Sequence, residues 1–193
     1  MRKLLTALLV LILALPCAAF AEEEPGLVQF DFGDFTMDIY EDMFYDDDYD
    51  KISGQPYFYL YQDYDPNAAF TKNLNIVWLS DSFDVHSIDP SAYAQQVLDG
   101  SVSALSQQNI AVSNPSVLYA DYANQDGKTA ITIIFSMTMD YTSAGVDLVM
   151  DQYTLQGMCS DPAFGTYYFT ITTDNIEDTR PLMEVMDSVD WAD

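Results

Sequence analysis

A short acidic run places three carboxylates at the spacing of the first ligands in a calcium-binding loop. Asp46, Asp48 and Asp50 alternate along this run. A complete EF-hand loop also has a glycine at its sixth position and a bidentate glutamate at its twelfth. Here those positions hold Lys51 and Tyr57. We therefore interpret the run as a solvated acidic loop, with a weak calcium site at the three aspartates as the alternative. No other cofactor is predicted.

Nucleophiles and bases are few. His86 is the single histidine, and Cys159 is the single cysteine after Cys17. A hydrolase could pair Cys159 with His86, or use two of the 31 acidic side chains. The sequence has no Gly-x-Ser-x-Gly, Walker or dinucleotide-binding motif, and it has too few Cys and His for a zinc site. A non-enzymatic function is favoured, and a secreted hydrolase that uses carboxylates or His86 is the alternative.

The charge of the chain restricts its partners. The formal net charge is −25. The negative electrostatic field of such a chain repels phosphate groups, so nucleic acids and anionic membrane surfaces are disfavoured as partners. The composition is nevertheless 49% apolar and 14% aromatic, which is ample material for a packed core. A protein or a cationic ligand is the partner that such a charge predicts.

The first 21 residues have the pattern of an export signal. Two basic residues precede an apolar run, and Ala19 and Ala21 match a small-x-small cleavage site. We expect cleavage after Ala21 and secretion, with no membrane span. Lipid anchoring through Cys17 is the less favoured alternative, because Pro16 stands where that processing needs a small residue. Residues 22–193 then form one domain, without an intrachain disulfide because Cys159 is left alone.

The candidate binding surface is a segment in which every second residue is a tyrosine. Tyr57, Tyr59 and Tyr61 alternate with Phe58 and Leu60. Tyrosine offers a large contact area at low entropic cost, and nearby acids select cationic partners. The three tyrosines therefore predict a contact surface beside the acidic loop. The alternative, that they form core beneath a helix, remains open.

Alternating segments predict the sheet that positions these residues. Residues 131–139 and 166–172 alternate between apolar and polar side chains, with Ile134 as the one exception in the first. The intervening segment changes phase, which predicts a β-bulge near Asp151 or Gln152. Turn residues before and after this segment predict a meander. Residues 27–32 and 35–40 predict an entry hairpin.

Two helices are predicted to cover this sheet. Asp89 followed by Pro90 is typical of a helix start, and apolar residues then recur at three- and four-residue spacing to about Asn109. A second, short helix begins at Asp178. The class is α+β, an antiparallel sheet of about six strands covered by helices.

This order of elements resembles the PsbP-like superfamily. The likeness is carried by the opening segment 35–44, the core strand 74–78, the last strand 167–172 and the closing helix end 185–189. Tyr40 and Phe44 depart from the family pattern, which often has proline and tryptophan there, so no site residue is transferred. The resemblance implies an α/β/α sandwich and a role in binding or assembly.

Overall fold

The computed structural model describes residues 26–68 and 70–192, which form ten strands and two α-helices. In chain order these are β1 (Leu27–Asp31), β2 (Phe35–Tyr40), β3 (Phe44–Asp46), β4 (Pro56–Gln62), β5 (Lys72–Leu79), α1 (Pro90–Gln107), β6 (Ala111–Gln125), β7 (Lys128–Asp140), β8 (Val149–Asp161), β9 (Gly165–Thr173), α2 (Thr179–Asp187) and β10 (Asp190–Trp191). The predicted export signal, with Cys17 and the cleavage site, lies outside the described residues.

Seven strands make one antiparallel sheet in the order β3–β4–β5–β9–β8–β7–β6. The strands β7 to β9 are the predicted meander, and β6 extends it at the edge of the sheet. A smaller antiparallel sheet, β1–β2–β10, contains the predicted entry hairpin. The large sheet has seven strands, where the sequence predicts about six. The additional strand is β3, which forms inside the segment interpreted as a solvated acidic loop.

Each face of the large sheet has its own apolar core. The small sheet and α2 cover the first face, here called the small-sheet face, and its buried members include Phe35, Met37, Ile39, Phe58, Leu60, Leu74, Ile76, Phe169, Ile171 and Leu182. Helix α1 packs on β6 and β7 of the other face, called the α1 face. Its core includes Ala94, Leu98, Ile131, Ile133, Phe135, Met137 and Met139. The predicted α+β class is confirmed.

Coverage on both faces explains two irregularities in the sequence. Ile134, which breaks the alternation of β7, packs against the core of the small-sheet face. The predicted bulge in β8 is wrong, because β7 and β8 pair in unbroken register from Ala130 with Cys159 to Asp140 with Val149. Met150 packs on the α1 face and Leu155 on the small-sheet face. The two apolar phases therefore need no bulge.

Helix α1 begins as its sequence predicts. The Asp89 carboxylate accepts a hydrogen bond from the Ala92 backbone N–H at 2.8 Å, and Pro90 occupies the first turn. The helix lies over the β6 and β7 end of the sheet. Toward the β3 end, the same face carries half-buried Tyr59 and Tyr61. Within residues 26–68 and 70–192, no helix is long and apolar enough to cross a bilayer.

Candidate functional site

Strand β4 divides the three tyrosines that the sequence places on one surface. Its pairing with β5 shifts register between Pro56 and Phe58, and this bulge sends both Tyr57 and Phe58 into the small-sheet core. Tyr57 is 7% exposed, whereas Tyr59 and Tyr61 are half-buried on the α1 face. The predicted surface is therefore wrong at Tyr57, because a bulge adds one residue and ends the two-residue alternation.

Tyr59 and Tyr61 are the centre of a larger aromatic patch. Their rings stack 5.9 Å apart with 7° between planes. The Tyr49 ring meets Tyr59 edge-on at 5.7 Å. Phe44 and Tyr64 stack 4.3 Å apart, and both contact the Tyr61 ring. The surface formed by these rings and the adjoining carboxylate is here called the aromatic–acidic surface, and consists of Phe44, Asp46, Tyr49, Tyr59, Tyr61 and Tyr64.

Three of these rings are largely open to solvent. Phe44, Tyr49 and Tyr64 are 47%, 50% and 45% exposed. They lie outside the three tyrosines that sequence reasoning selected. The signal for Phe44 and Tyr49 was weak, because they interrupt the acidic run and such interruptions are also found in ordinary solvated loops. Tyr64 lies in a separate loop after β4 and had no signal of its own.

Asp46 supplies the charge of this surface. It pairs with Tyr59 across β3 and β4, so its side chain projects from the same face. Its carboxylate raises the pKa of Tyr49. Burial raises the pKa of Tyr61, and Asp46 adds to that effect. A carboxylate among ring faces makes a region of negative potential, which favours a lysine or arginine side chain.

The three aspartates of the candidate calcium site occupy the start of the β3–β4 connection. Asp46 is half-buried, and Asp48 and Asp50 are exposed. One carboxylate oxygen of Asp46 accepts a hydrogen bond from the Asp48 backbone N–H at 3.3 Å. Within the described part of the chain, no three Cys, His, Asp or Glu side chains gather as a metal centre. Calcium binding at this loop stays a prediction.

A second cluster, which sequence reasoning missed, surrounds Lys51 on the small-sheet face. The Lys51 ammonium lies 4.7 Å from the Trp78 ring, 5.0 Å from the Tyr167 ring and 6.0 Å from the Tyr57 ring. It forms an ion pair with Asp34 at 2.7 Å and donates a hydrogen bond to the Tyr167 hydroxyl. That hydroxyl in turn donates to Asp34. Asp34, Tyr57, Trp78 and Tyr167 are here called the ammonium cage.

The cage is electrostatically suited to a cation. Burial acts to raise the pKa of Asp34, but hydrogen bonds from Lys51 and Tyr167 outweigh it and hold that pKa below its usual value. Burial and the adjacent Asp34 raise the pKa of Tyr167 far above the usual range. At neutral pH the cage therefore presents one carboxylate, neutral hydroxyls and ring faces. The only sequence signal for it is that Lys51 is the one basic residue between Lys3 and Lys72.

Each basic residue in the described part of the chain has an acidic partner. Besides Lys51, the ion pairs are Lys72 with Asp178 at 2.8 Å, Lys128 with Asp161 at 3.1 Å and Arg180 with Glu184 at 3.0 Å. Far more carboxylates than bases are present, so most acids carry charge without a basic neighbour.

The sheet separates His86 from Cys159. Cys159 is fully buried in the core of the small-sheet face, and burial raises the pKa of its thiol to about 11. His86 is exposed, follows Val85 of the α1-face core and contacts the Tyr122 ring at 5.5 Å. The Cys–His pair is therefore wrong. The use of His86 or of carboxylates in hydrolysis remains a hypothesis.

The chain matches no known family model and no curated protein sequence. Its fold is that of solved PsbP-like proteins. Cyanobacterial PsbP (CyanoP) from Synechocystis is similar with a TM-score of 0.60 and 13% identity, over 86% of this chain and 92% of that one. The Ran-binding protein Mog1p from Saccharomyces cerevisiae is similar with a TM-score of 0.50 and 11% identity, over 88% and 97% of the two chains. Such low identity establishes the fold alone, and the PsbP-like fold is as predicted.

Proposed function

We propose that this protein is an exported, acidic, non-enzymatic binding module that holds a basic segment of a partner protein on the aromatic–acidic surface. The observation that carries the proposal is the group of exposed rings around Asp46. Exposed aromatic side chains in contact with one another are uncommon on a protein surface that binds nothing. Tyrosine is also enriched in the residues that dominate binding energy.

The chemistry of the surface selects the partner. A lysine or arginine side chain laid across Tyr59 and Tyr61 gains a cation–π contact with their faces and an ion pair with Asp46. The described basic residues already have acidic partners, so little positive charge opposes an incoming cation. The net charge of −25 adds long-range attraction, which speeds association at low salt.

One of the two similar solved structures supports a binding role. Mog1p is a Ran-binding protein, and the PsbP-like resemblance implies binding or assembly rather than catalysis. Because one fold supports many functions, fold similarity is only secondary support. The proposal rests on the aromatic–acidic surface.

The test uses a labelled peptide rich in lysine and arginine and a matched peptide in which glutamine replaces them. Fluorescence anisotropy at two salt concentrations measures the Kd of each for the purified chain. We expect binding of the basic peptide only, weakened by salt. Tyr59→Ser/Tyr61→Ser is expected to weaken it at least about tenfold, the scale of a hot-spot loss. Asp46→Asn is expected to weaken it less.

Tyr119→Ser is the matched control. Tyr119 is 46% exposed on β6, at the opposite edge of the large sheet. Its substitution is expected to leave the Kd unchanged. Equal Kd values for the Tyr119 and the Tyr59/Tyr61 variants would mean that net charge alone attracts the peptide, and the proposal would then fail.

A further inference from the structure

The ammonium cage is arranged as a receptor for an ammonium group. Two acceptors, the Asp34 carboxylate and the Tyr167 hydroxyl, bind the Lys51 nitrogen, and three rings lie within 6.0 Å of it. Rings at such distances attract a cation through their quadrupoles. The Lys51 and Asp34 side chains are each 33% exposed, so solvent reaches this ion pair. A group from outside can therefore reach it.

The walls of the cage are fixed independently of Lys51. Tyr57, Trp78 and Tyr167 lie on the neighbouring strands β4, β5 and β9. The Trp78 indole N–H donates to the Phe164 carbonyl at 2.7 Å. Gly165 permits this approach, because a Cβ there would lie 2.3 Å from the Leu79 carbonyl oxygen and 3.1 Å from the indole nitrogen. The receptor should therefore persist when its occupant leaves.

Lys51, by contrast, lies on an irregular segment, in a turn that the Ile52 backbone N–H closes with a hydrogen bond to the Asp50 carbonyl at 2.8 Å. It lies in the connection between β3 and β4, which has no helix or strand of its own, and the residue as a whole is exposed. Replacing its ammonium by another conserves both the charge and the hydrogen bonds in the cage. An external ammonium group must therefore compete mainly with the effective concentration of the Lys51 ammonium at the cage. For short flexible tethers this concentration is on the order of millimolar.

One polar group of the cage is left unused. Tyr57 is only 7% exposed, and its hydroxyl is buried. The Tyr167 hydroxyl lies close enough to oppose the effect of burial on the Tyr57 pKa, but it does not meet the Tyr57 hydroxyl in good hydrogen-bonding geometry. A buried hydroxyl without a partner is costly unless a ligand completes it.

We propose that the ammonium cage is a binding site for the primary ammonium group of a ligand, with Lys51 as its internal, displaceable occupant. The site lies on the opposite face of the sheet from the aromatic–acidic surface, so the two proposals can fail separately. A primary ammonium is the fitting class because Lys51 itself donates two hydrogen bonds to the cage. A quaternary ammonium offers no donor for Asp34 or Tyr167.

The first experiment empties the cage. Lys51→Ala is titrated at neutral pH with n-butylammonium, a lysine side-chain mimic, against sodium chloride at equal ionic strength. Trp78 fluorescence and the melting temperature are followed. We expect a saturable response with a Kd at least about tenfold lower than for the unaltered chain, because the internal competitor is gone. Tetramethylammonium is expected to bind more weakly. The third probe is Nα-acetyl-lysine N-methylamide, which mimics a lysine within a peptide. Comparison of its Kd with that of butylammonium shows whether a peptide lysine or a free amine is the better ligand.

Two variants control the interpretation. Lys72→Ala removes a lysine that is paired with Asp63, Asp174 and Asp178 and has no ring over its ammonium. Its response to butylammonium therefore measures attraction by carboxylates alone, and should be weaker than that of Lys51→Ala. Lys51→Ala/Asp34→Asn keeps the cage empty but removes its carboxylate, and should lose the response. Equal responses of the Lys51 and Lys72 variants would overturn the proposal, as would retention of the response in the Asp34 double variant.

The second experiment asks whether the natural occupant leaves. The sequence has four lysines, Lys3, Lys51, Lys72 and Lys128. In a chain labelled with ¹³C-lysine, the Lys51 Hε protons should resonate upfield because the rings shield them. Added butylammonium should move this signal to the free-lysine position, while that of Lys72 stays. Butylammonium is added up to about a hundred times the Kd measured for Lys51→Ala. If the Lys51 signal does not move at that concentration, Lys51 is a permanent structural contact and the proposal is overturned.

Discussion

Tyr49 and Lys51 are separated by one residue, yet they pack on opposite faces of the large sheet. The Tyr49 ring meets Tyr59 on the α1 face at 5.7 Å, and the Lys51 ammonium lies 4.7 Å from the Trp78 ring on the small-sheet face. The acidic connection between β3 and β4 is thus fixed at its middle by two side chains of different chemistry. One belongs to the aromatic–acidic surface and the other fills the ammonium cage.

The Lys51 attachment should weaken in acid. The pKa of Asp34 is held below its usual value, so the ion pair stabilises the fold above about pH 4, the pKa in the unfolded chain. This stabilisation is lost as pH falls through the lower, folded pKa. Asp34→Asn should therefore cost about 1 kcal/mol near neutrality and progressively less below pH 4. Urea unfolding over a pH series measures the difference.

Asp147→Asn serves as its control, because Asp147 is an exposed acid on the β7–β8 connection. Its substitution should have little effect at any pH. If the stability difference between the Asp34 variant and the unaltered chain stayed constant down to pH 2, ionisation of Asp34 would have no part in it.

Local patterns in the sequence predicted most of the elements but not the site. The alternation along β7 and the Asp89 cap of α1 each depend on neighbouring residues, and both were predictable. The bulge at Tyr57 and the straight path of β8 depend on what covers each face, which no local pattern contains. The ammonium cage brings Asp34 and Tyr167, which lie 133 residues apart, together around Lys51. Only the fold brings such residues together.

Phe135 tests the core of the α1 face. It is 3% exposed and lies on β7 in the cluster beneath α1. Phe135→Ala should lower the free energy of unfolding by about 3 to 5 kcal/mol, through lost burial and the cavity left behind. Chemical denaturation measures this. Val149→Ala, at a strand position that is 60% exposed, should change stability by only about 0.5 kcal/mol. A loss below about 1 kcal/mol at Phe135 would contradict the packing described.

Cys159 should be chemically inert in the folded protein. It is fully buried, and burial raises the pKa of its thiol to about 11, so the reactive thiolate is scarce at neutral pH. Reaction with a disulfide reagent should be slow in buffer and fast in guanidinium chloride. Equal rates in the two solvents would show that the β8 strand opens readily. Cys159→Ser should abolish the slow reaction in buffer, which identifies Cys159 as the reacting thiol.

The last prediction separates charge screening from calcium binding at the acidic loop. With a net charge of −25, repulsion among carboxylates opposes folding at low ionic strength, so any added cation should raise the melting temperature. If Asp46, Asp48 and Asp50 only repel one another, sodium and calcium salts at equal ionic strength should act alike. A calcium ion bound by the folded loop would add RT ln(1 + [L]/Kd) to the free energy of unfolding, beyond the effect of the matched sodium salt.

We expect a large common effect and a small calcium-specific remainder, because Lys51 stands where a calcium loop needs glycine and is held in the ammonium cage. Asp46→Asn/Asp48→Asn removes two of the three carboxylates without altering a core residue, and scanning calorimetry compares it with the unaltered chain. A large, saturable calcium shift that this double variant abolishes would make cation binding the leading function and would assign Asp46 to a metal rather than to a basic partner.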